Sequence, residues 1–245
     1  QRFVVLPSTG FTIDAVVGSY EATRTGTGNS GTLAFTQVLV LVGFISAWWE
    51  RIVSTRRLVI GSVLALTPLF LAGMLLMGAF VTVFNYIGFH LMGPPFALSQ
   101  AAVGFIFVVY PVGSLGSTWL GALAGRWRRE PVFAAAIAIM AAGVAATLSD
   151  ALVVAVLGMA VMTFGFFGAH SIATAWVGAR AREARAQASS LYLAFYYLGS
   201  SLLGGLGGLF WDRGGWPAVV AATAALIAFL GAIAARLLVL ARRLR

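Results

Sequence analysis

Long apolar windows, almost free of charged residues, recur along the chain from residue 68 onward. A membrane-spanning α-helix needs about 20 consecutive, mostly apolar residues. Windows of this kind cover residues 68–89, 101–124, 131–148, 151–176, 188–210 and 217–235. The pattern therefore predicts six membrane-spanning helices, called spans one to six below, in an all-α, polytopic transmembrane bundle.

A shorter apolar window at residues 33–49 is flanked by a polar stretch rich in Gly and Thr. It is short for a span, and the sequence leaves open whether it forms one extra amino-terminal helix. We therefore divide the chain into an atypical amino-terminal segment, residues 1–57, with a possible span at 33–49, and a six-helix domain, residues 58–245.

The six spans differ in polarity. Spans three and six are almost purely apolar, whereas the other four carry polar side chains at helical spacing. These side chains are Thr82, Asn85 and Tyr86 in span one; Tyr110, Ser114, Ser117 and Thr118 in span two; Thr163, His170, Ser171 and Thr174 in span four; and Ser189, Tyr192, Tyr196 and Ser200 in span five.

Polar groups are costly in hydrocarbon unless they face a protein interior or a water-filled cavity. We therefore expect four spans to share a polar interior, and spans three and six, for example at Ile137 and Ile227, to face lipid. The order polar, polar, apolar occurs twice, as two three-helix repeats around a cavity would produce. The alternative is that the hydroxyls only bond their own helix or a neighbouring one.

Composition and charge placement agree with this picture. The chain is 60% hydrophobic and 9% charged, with a mean hydropathy of +0.96, far from the soluble average. Its net charge of +9 indicates no nucleic-acid partner, because the arginines sit in short runs at helix ends, around residues 126–129, 180–185 and 242–245. By the positive-inside rule these runs, and the carboxyl terminus, are cytoplasmic.

Several enzyme classes fail for lack of residues. The chain has no Cys and only two His, so it offers no thiolate or His-rich metal site, which needs three or four ligands. The carboxylates Glu130, Asp150, Glu183 and Asp212 fall in predicted loops on alternating sides of the membrane. No Lys is present for a retinal Schiff base. We therefore expect no enzyme activity, no metal and no cofactor.

The run Gly121-Ala-Leu-Ala-Gly-Arg-Trp-Arg-Arg129 resembles the cytoplasmic signature loop of the major facilitator superfamily, a Gly, three residues, then Asp-Arg-x-Gly-Arg. Gly125 stands where the family usually has Asp, and Arg128 where it has Gly. Longer stretches resemble a branch of that superfamily, the YnfM-like permeases, often described as sugar or drug efflux permeases. They are residues 76–80, 84–89, 164–171, 187–193 and 196–201.

This resemblance implies helices seven to twelve of a twelve-helix secondary transporter in the bacterial inner membrane, with a cytoplasmic carboxyl terminus. The implied activity is proton-coupled efflux, as an antiporter, of a small organic compound by alternating access. The implied partners are the lipid bilayer, the small organic substrate, protons and the missing amino-terminal half. The alternative is a non-transporting membrane scaffold or a degenerate transporter remnant. The likeness also implies a cytoplasmic gate loop that contains Gly121, Gly125, Arg126 and Arg129.

His170 is the only ionisable side chain well inside a predicted span. An unperturbed pKa near 6.5 suits such a residue for carrying a proton, although a neutral His satisfied by neighbouring helices is the alternative. Tyr192 and Tyr196 offer hydrogen bonds and aromatic faces to a substrate, or serve as interfacial anchors. The candidate substrate or proton pathway comprises Asn85, Tyr86, Tyr110, Ser114, His170, Thr174, Tyr192 and Tyr196.

Overall fold

The computed structural model describes the backbone of residues 56–181 and 184–243, and the side chains of residues 66–181 and 184–242. The possible span at residues 33–49 lies outside the described residues. Within them the chain is helical, and no strand occurs. The helices are α1 Arg56–Met92, α2 Gln100–Gly104, a 3₁₀ turn Phe105–Val109, α3 Tyr110–Arg126, α4 Arg129–Ala146, α5 Leu152–Arg180 and α6 Arg185–Arg243.

The second crossing is built from three pieces placed end to end. Helix α2, the 3₁₀ turn and α3 together form a single candidate span, Gln100–Arg126. Ser99 caps the start of α2, since its hydroxyl accepts a hydrogen bond from the amide of Ala102, as N-cap Ser residues do. Pro111 stands in the first turn of α3, where its missing amide proton costs no hydrogen bond.

Helix α6 is too long for one crossing and turns back on itself. Its 59 residues would extend about 90 Å, some three times the thickness of the hydrocarbon core. The backbone leaves the helical region at Gly214 and Gly215, where the φ of Gly215 is 60°, a conformation that glycine adopts readily. The element therefore consists of two segments, residues 185–213 and 216–243.

Side-chain contacts show that the two segments of α6 are antiparallel. At the start of the second segment, the Trp216 ring stacks on His90 near the end of α1, with centroids 5.1 Å apart. The Trp216 indole also donates to the carbonyl of Thr147, just past the end of α4, at 2.9 Å. At the far end of the segment, Ala241 lies beside Arg129, the first residue of α4. The described residues thus contain five candidate membrane spans, the last of which holds two antiparallel segments, so that helical segments coincide with all six predicted windows.

The arginine-rich connections gather at one end of the bundle, called the basic end below. The cavity that Arg129, Arg180 and Ala241 share joins the start of α4 to the ends of α5 and α6. The opposite end holds the connections at residues 93–99, 147–151 and 214–215. The alternation of basic and weakly charged connections is therefore real in the fold, while the side that faces the cytoplasm stays a prediction.

Glycines allow two helix pairs, α4 with α5 and α1 with α6, to approach closely. A Cβ atom on Gly165 of α5 would lie 2.5 Å from the backbone nitrogen of Met140 in α4. Cβ atoms on Gly143 and Gly199 would meet the backbone of Met162 and of Met74 even more closely. Small residues at such crossings let backbones pack against each other, which is a main source of helix association in membranes.

The prediction that Ile137 and Ile227 face lipid is wrong for the packed bundle, since they are only 4% and 5% exposed. Both lie on a face that packs against the other helices. The exposed face of α4 carries small residues instead, among them Ala135, Ala138 and Ala142. An apolar helix has no polar residue to mark its inner side, so hydropathy alone does not orient it.

Candidate functional site

His170 of α5 and two tyrosines of α6 form a compact cluster. The Nδ1 atom of His170 lies 3.1 Å from the hydroxyl oxygen of Tyr192, and its ring centroid lies 4.6 Å from that of Tyr196. Residues four apart on a helix share a face, so Tyr192 and Tyr196 both reach α5. The ring of Tyr192 fits against Gly73 of α1, where a Cβ atom would come within 2.7 Å of the ring.

Stacked aromatic rings extend this cluster across the bundle. Phe166 stacks on His170 at a centroid distance of 6.1 Å and on Phe80 of α1 at 4.0 Å. Phe80 in turn meets Tyr110 of α3 edge-on at 6.0 Å. We call Tyr196, His170, Phe166, Phe80 and Tyr110 the aromatic row. Four of the six helical segments that coincide with predicted windows contribute to it, and they are the four polar spans predicted to share an interior.

Sequence reasoning missed Phe80 and Phe166. Each looks like an ordinary core residue, since phenylalanines are common in membrane helices and carry no polar group. The spacing did hold a signal, because Phe166 precedes His170 by four residues and so lies on the same face of α5. An aromatic neighbour at that spacing would have extended the candidate pathway toward α1.

The aromatic row lies against a buried tyrosine, Tyr192, at its His170 end and is exposed at its Tyr110 end. Tyr192, beneath it, is 1% exposed, whereas Tyr110 is 38% exposed, and Ser114, one turn further along α3, is exposed as well. The burial of Tyr192 argues against an interfacial anchor, because such anchors sit at the membrane surface. The open side follows α3, which is the least buried of the candidate spans.

Asn85 and Tyr86 lie apart from the His170 cluster, at the contact between α1 and α6. The Asn85 side-chain amide donates to the carbonyl of Gly204 at 3.5 Å, and Tyr86 packs against Gly207. Gly204 follows Tyr196 by eight residues, which is about 12 Å along a helix. Thr82 beside them donates to the carbonyls of Gly78 and Leu203. These residues join two helices rather than extend the row.

Most other hydroxyls bond their own helix, which was the alternative left open by the sequence. Thr174 donates to the carbonyls of His170 and Ser171. The buried Thr163 and Thr223 likewise donate to the carbonyls four residues earlier. Ser117 is different, since its hydroxyl reaches across to the carbonyl of Phe167 in α5 at 3.3 Å. Thr174 therefore lies near the cluster with its hydroxyl already satisfied.

The candidate gate loop lies at the basic end. Gly121 faces α5, since a Cβ atom there would lie 3.2 Å from the Ser171 hydroxyl, whereas Gly125 faces open space. Arg126 is exposed, and Arg129 lines a cavity of about 480 Å³. Of the two glycines in the candidate gate loop, Gly121 lies against another helix and Gly125 does not.

Known proteins resemble this chain strongly. The MFS-type transporter YybF of Bacillus subtilis is 48% identical over 155 residues, which are 63% of this chain and 38% of that protein. The inner membrane transport protein YnfM of Escherichia coli is 45% identical over 169 residues, 69% of this chain and 40% of that protein. An uncharacterized transporter of Buchnera aphidicola subsp. Schizaphis graminum is 43% identical over 143 residues, 58% of this chain and 35% of that protein.

The carboxyl-terminal part of this chain is homologous to MFS-type transporters. The resemblance drawn from the signature loop and from the longer stretches is thereby confirmed. No protein-family model matches the chain, and no solved structure matches it. Together with the candidate membrane spans, the MFS-type relatives establish a multi-pass membrane protein.

The chain spans less than half of the length of the transporters it matches, between 35% and 40% for the three named above. Among the residues that the structure describes, no group of three or more His, Cys, Asp or Glu side chains converges as a metal site would require. The candidate site of this MFS-type chain is therefore its aromatic row, with His170 as the titratable group that the sequence singled out.

Proposed function

We propose that this chain supplies one half of a secondary active transporter, which exports a small organic compound in exchange for protons by alternating access. The observation that carries the proposal is the aromatic row, which is closed on one side by Tyr192 and open on the other along α3. Transporter sites lie near the middle of the bilayer, between two helical units that rock against each other, and the open side of the row leaves room for a second unit.

The open side of the bundle supports a second helical unit. Ser114 on α3 and Ser201 on α6 are exposed within candidate spans, and the rings of Tyr110 and Tyr197 are half-exposed there. Such groups are costly against lipid. An aqueous cavity enclosed by another six-helix unit would hydrate them. The match to this chain covers only 38% of YybF and 40% of YnfM, which agrees with this proposal.

The chemistry of the row favours a substrate with an aromatic or apolar body and few hydrogen-bonding groups. Tyr196 and Tyr110 offer ring faces with one hydroxyl each, and His170 offers its imidazole. Ring faces also attract organic cations. Tyr192 and Tyr196, both from α6, are the ionisable side chains beside His170. Because histidine has the lower ordinary pKa of these groups, we infer that His170 is the proton carrier that this half supplies.

We place the protein in the bacterial inner membrane with its basic end in the cytoplasm. The arginines at residues 126–129, Arg180 and Arg185 gather at this end. In the sequence, Arg213 is the single arginine of the opposite connections. Arginines flank the cytoplasmic ends of membrane helices far more often than the outer ends. The name of the E. coli relative, an inner membrane transport protein, supports this location.

A chimera tests the proposal. The part of E. coli YnfM that matches this chain is replaced by the corresponding residues, and everted vesicles are assayed with ethidium, an aromatic cation, and with radiolabelled glucose. We expect the chimera to move the same probe as intact YnfM, driven by the pH gradient, at a rate within about tenfold. This chain expressed alone should insert without transport.

Intact YnfM serves as the reference for both probes. If YnfM moves a probe and a correctly inserted chimera does not, the aromatic row of this chain does not support transport. That result would favour the alternative, a non-transporting scaffold or a degenerate transporter remnant. Transport by the chain alone, without a second helical unit, would also contradict the proposal.

A further inference from the structure

The basic end contains a cavity that the aromatic row does not use. It has a volume of about 480 Å³ and lies where the start of α4 meets the ends of α5 and α6. Arg128, Arg129 and Glu130 line it from the α4 side, and Trp176 and Arg180 from the α5 side. A cavity of this volume is large enough for a small organic group.

The charge inside this cavity is positive. Three arginines and one glutamate line it, and arginine stays protonated at any physiological pH. Glu130 pairs with Arg128, whose Nε atom lies 3.6 Å from the carboxylate oxygen. Among the residues that the structure describes, Arg129 and Arg180 form no ion pair, and they contribute two positive charges from two different helices.

Two further features of this cavity favour the binding of an anion. The guanidinium of Arg180 lies over the ring of Trp176, 5.3 Å from its centroid, and this cation–π contact holds the group in place. The amino terminus of α4 also begins here, and its N-cap residue, Arg128, makes no side-chain capping hydrogen bond. Backbone amides at a helix start attract negative charge.

The cavity lies at the depth of the lipid headgroups. Arg129 is the first residue of α4 and Arg180 the last of α5, so both stand at the limit of the apolar crossings. Trp127 beside them is 75% exposed, as expected of an aromatic residue that anchors a helix end at the membrane interface. Phosphate groups of phospholipids occupy this level of the bilayer.

We propose that this cavity binds the phosphodiester headgroup of an anionic phospholipid from the cytoplasmic leaflet. Arg129 and Arg180 contact the phosphate from opposite sides, and Glu130 keeps the net charge of the cavity moderate. Basic pockets between membrane helices on the cytoplasmic side are suited to anionic headgroups. A bound lipid ties α4 to α5 at the basic end.

The test measures lipid retention by the full chain, purified in detergent and examined by native mass spectrometry. Phosphatidylglycerol and phosphatidylcholine are titrated separately. We expect the chain to retain phosphatidylglycerol preferentially, and Arg129→Gln and Arg180→Gln each to weaken that retention about fivefold. Arg126→Gln, at the same end but not lining the cavity, and Arg213→Gln, at the opposite end, should change retention by less than about twofold.

Additional measurements distinguish loss of binding from a folding defect, and a lipid headgroup from a soluble phosphate compound. Arg180→Lys, which keeps the charge, should retain most of the binding and shows that loss in Arg180→Gln is not a folding defect. Inorganic phosphate and glycerol 3-phosphate at millimolar concentration should displace little phosphatidylglycerol. Displacement by either soluble phosphate would assign the cavity to a cytosolic phosphate compound and overturn the lipid proposal. Equal retention by wild type and by Arg129→Gln/Arg180→Gln would overturn the site itself.

Discussion

The Nδ1 atom of His170 lies 3.1 Å from the hydroxyl oxygen of Tyr192, and this contact joins α5 to α6 through the candidate site. Tyr192 is almost fully buried, and a buried phenol needs a hydrogen-bond partner. When the phenol donates to Nδ1, the proton of the neutral imidazole resides on Nε2. When Nδ1–H instead donates to the phenol oxygen, the proton resides on Nδ1. In either case Tyr192 holds the ring of His170 in position.

The first prediction concerns this contact. Tyr192→Phe removes the hydroxyl while keeping the ring against Gly73, so it leaves Nδ1 of His170 without this partner. We expect a loss of about 1 kcal/mol in unfolding free energy, measured by SDS-induced unfolding of the chain in mixed micelles. Tyr197→Phe, on a ring that is 44% exposed, is the matched control and should change stability by less than about 0.5 kcal/mol. Equal effects would show that the contact adds nothing.

The second prediction concerns two glycines, at which substitution by alanine should change the unfolding free energy in opposite directions. At Gly165 a Cβ atom would meet the backbone of Met140, whereas at Gly231 of α6 it would meet nothing within 4 Å. Gly165→Ala should destabilise the chain by about 1–3 kcal/mol, because backbones do not yield easily. Gly231→Ala should stabilise it by up to about 1 kcal/mol, since alanine is the better helix former. The same unfolding assay checks both, and a stabilising Gly165→Ala would contradict the packing of α4 on α5.

The third prediction concerns topology. Single-Cys labelling is straightforward because the chain has no Cys. Ala181 is a natural position for the basic end but is only 5% exposed, so Gly125, where a Cβ atom faces open space, is better. We expect Ser99→Cys to react with a membrane-impermeant maleimide from outside the cell, and Gly125→Cys only after permeabilisation. Labelling of both positions from the same side would refute six crossings with a cytoplasmic basic end.

The sequence was sufficient to predict the crossings because a window of about 20 apolar residues has few alternatives in a folded protein. Even the turn at Gly214 and Gly215 fell inside a predicted connection. The 3₁₀ turn at Phe105–Val109 was not predicted, because Gly104 is the one Gly or Pro next to its start and a single Gly is common inside membrane helices. This turn lies inside an apolar window whose composition does not differ from that of a continuous membrane helix.

The candidate site was predictable in part. Four-residue spacing placed Tyr192 and Tyr196 on one face of a helix, and polarity singled out His170. Spacing fixes the face of each helix but not its rotation against its neighbours, so the His170 to Tyr192 contact and the separation of Asn85 from both became visible only in the fold. For the same reason the inner faces of α4 and of the second segment of α6 were assigned wrongly.

The last prediction concerns His170 in the chimera with YnfM. His170→Gln keeps a side chain that hydrogen-bonds to Tyr192 but removes titration, while insertion and expression should stay nearly unchanged because one neutral polar group replaces another at the same depth. If protonation of His170 is part of the cycle, the variant should export more slowly and lose most of the pH dependence of export between about pH 5 and 8. His90→Gln is the matched control, since His90 stacks on Trp216 at the opposite end of the bundle and should leave the pH profile intact. Export by His170→Gln with the full pH profile of the parent would make His170 a structural residue, and the proton would then have to pass through the other half of the transporter.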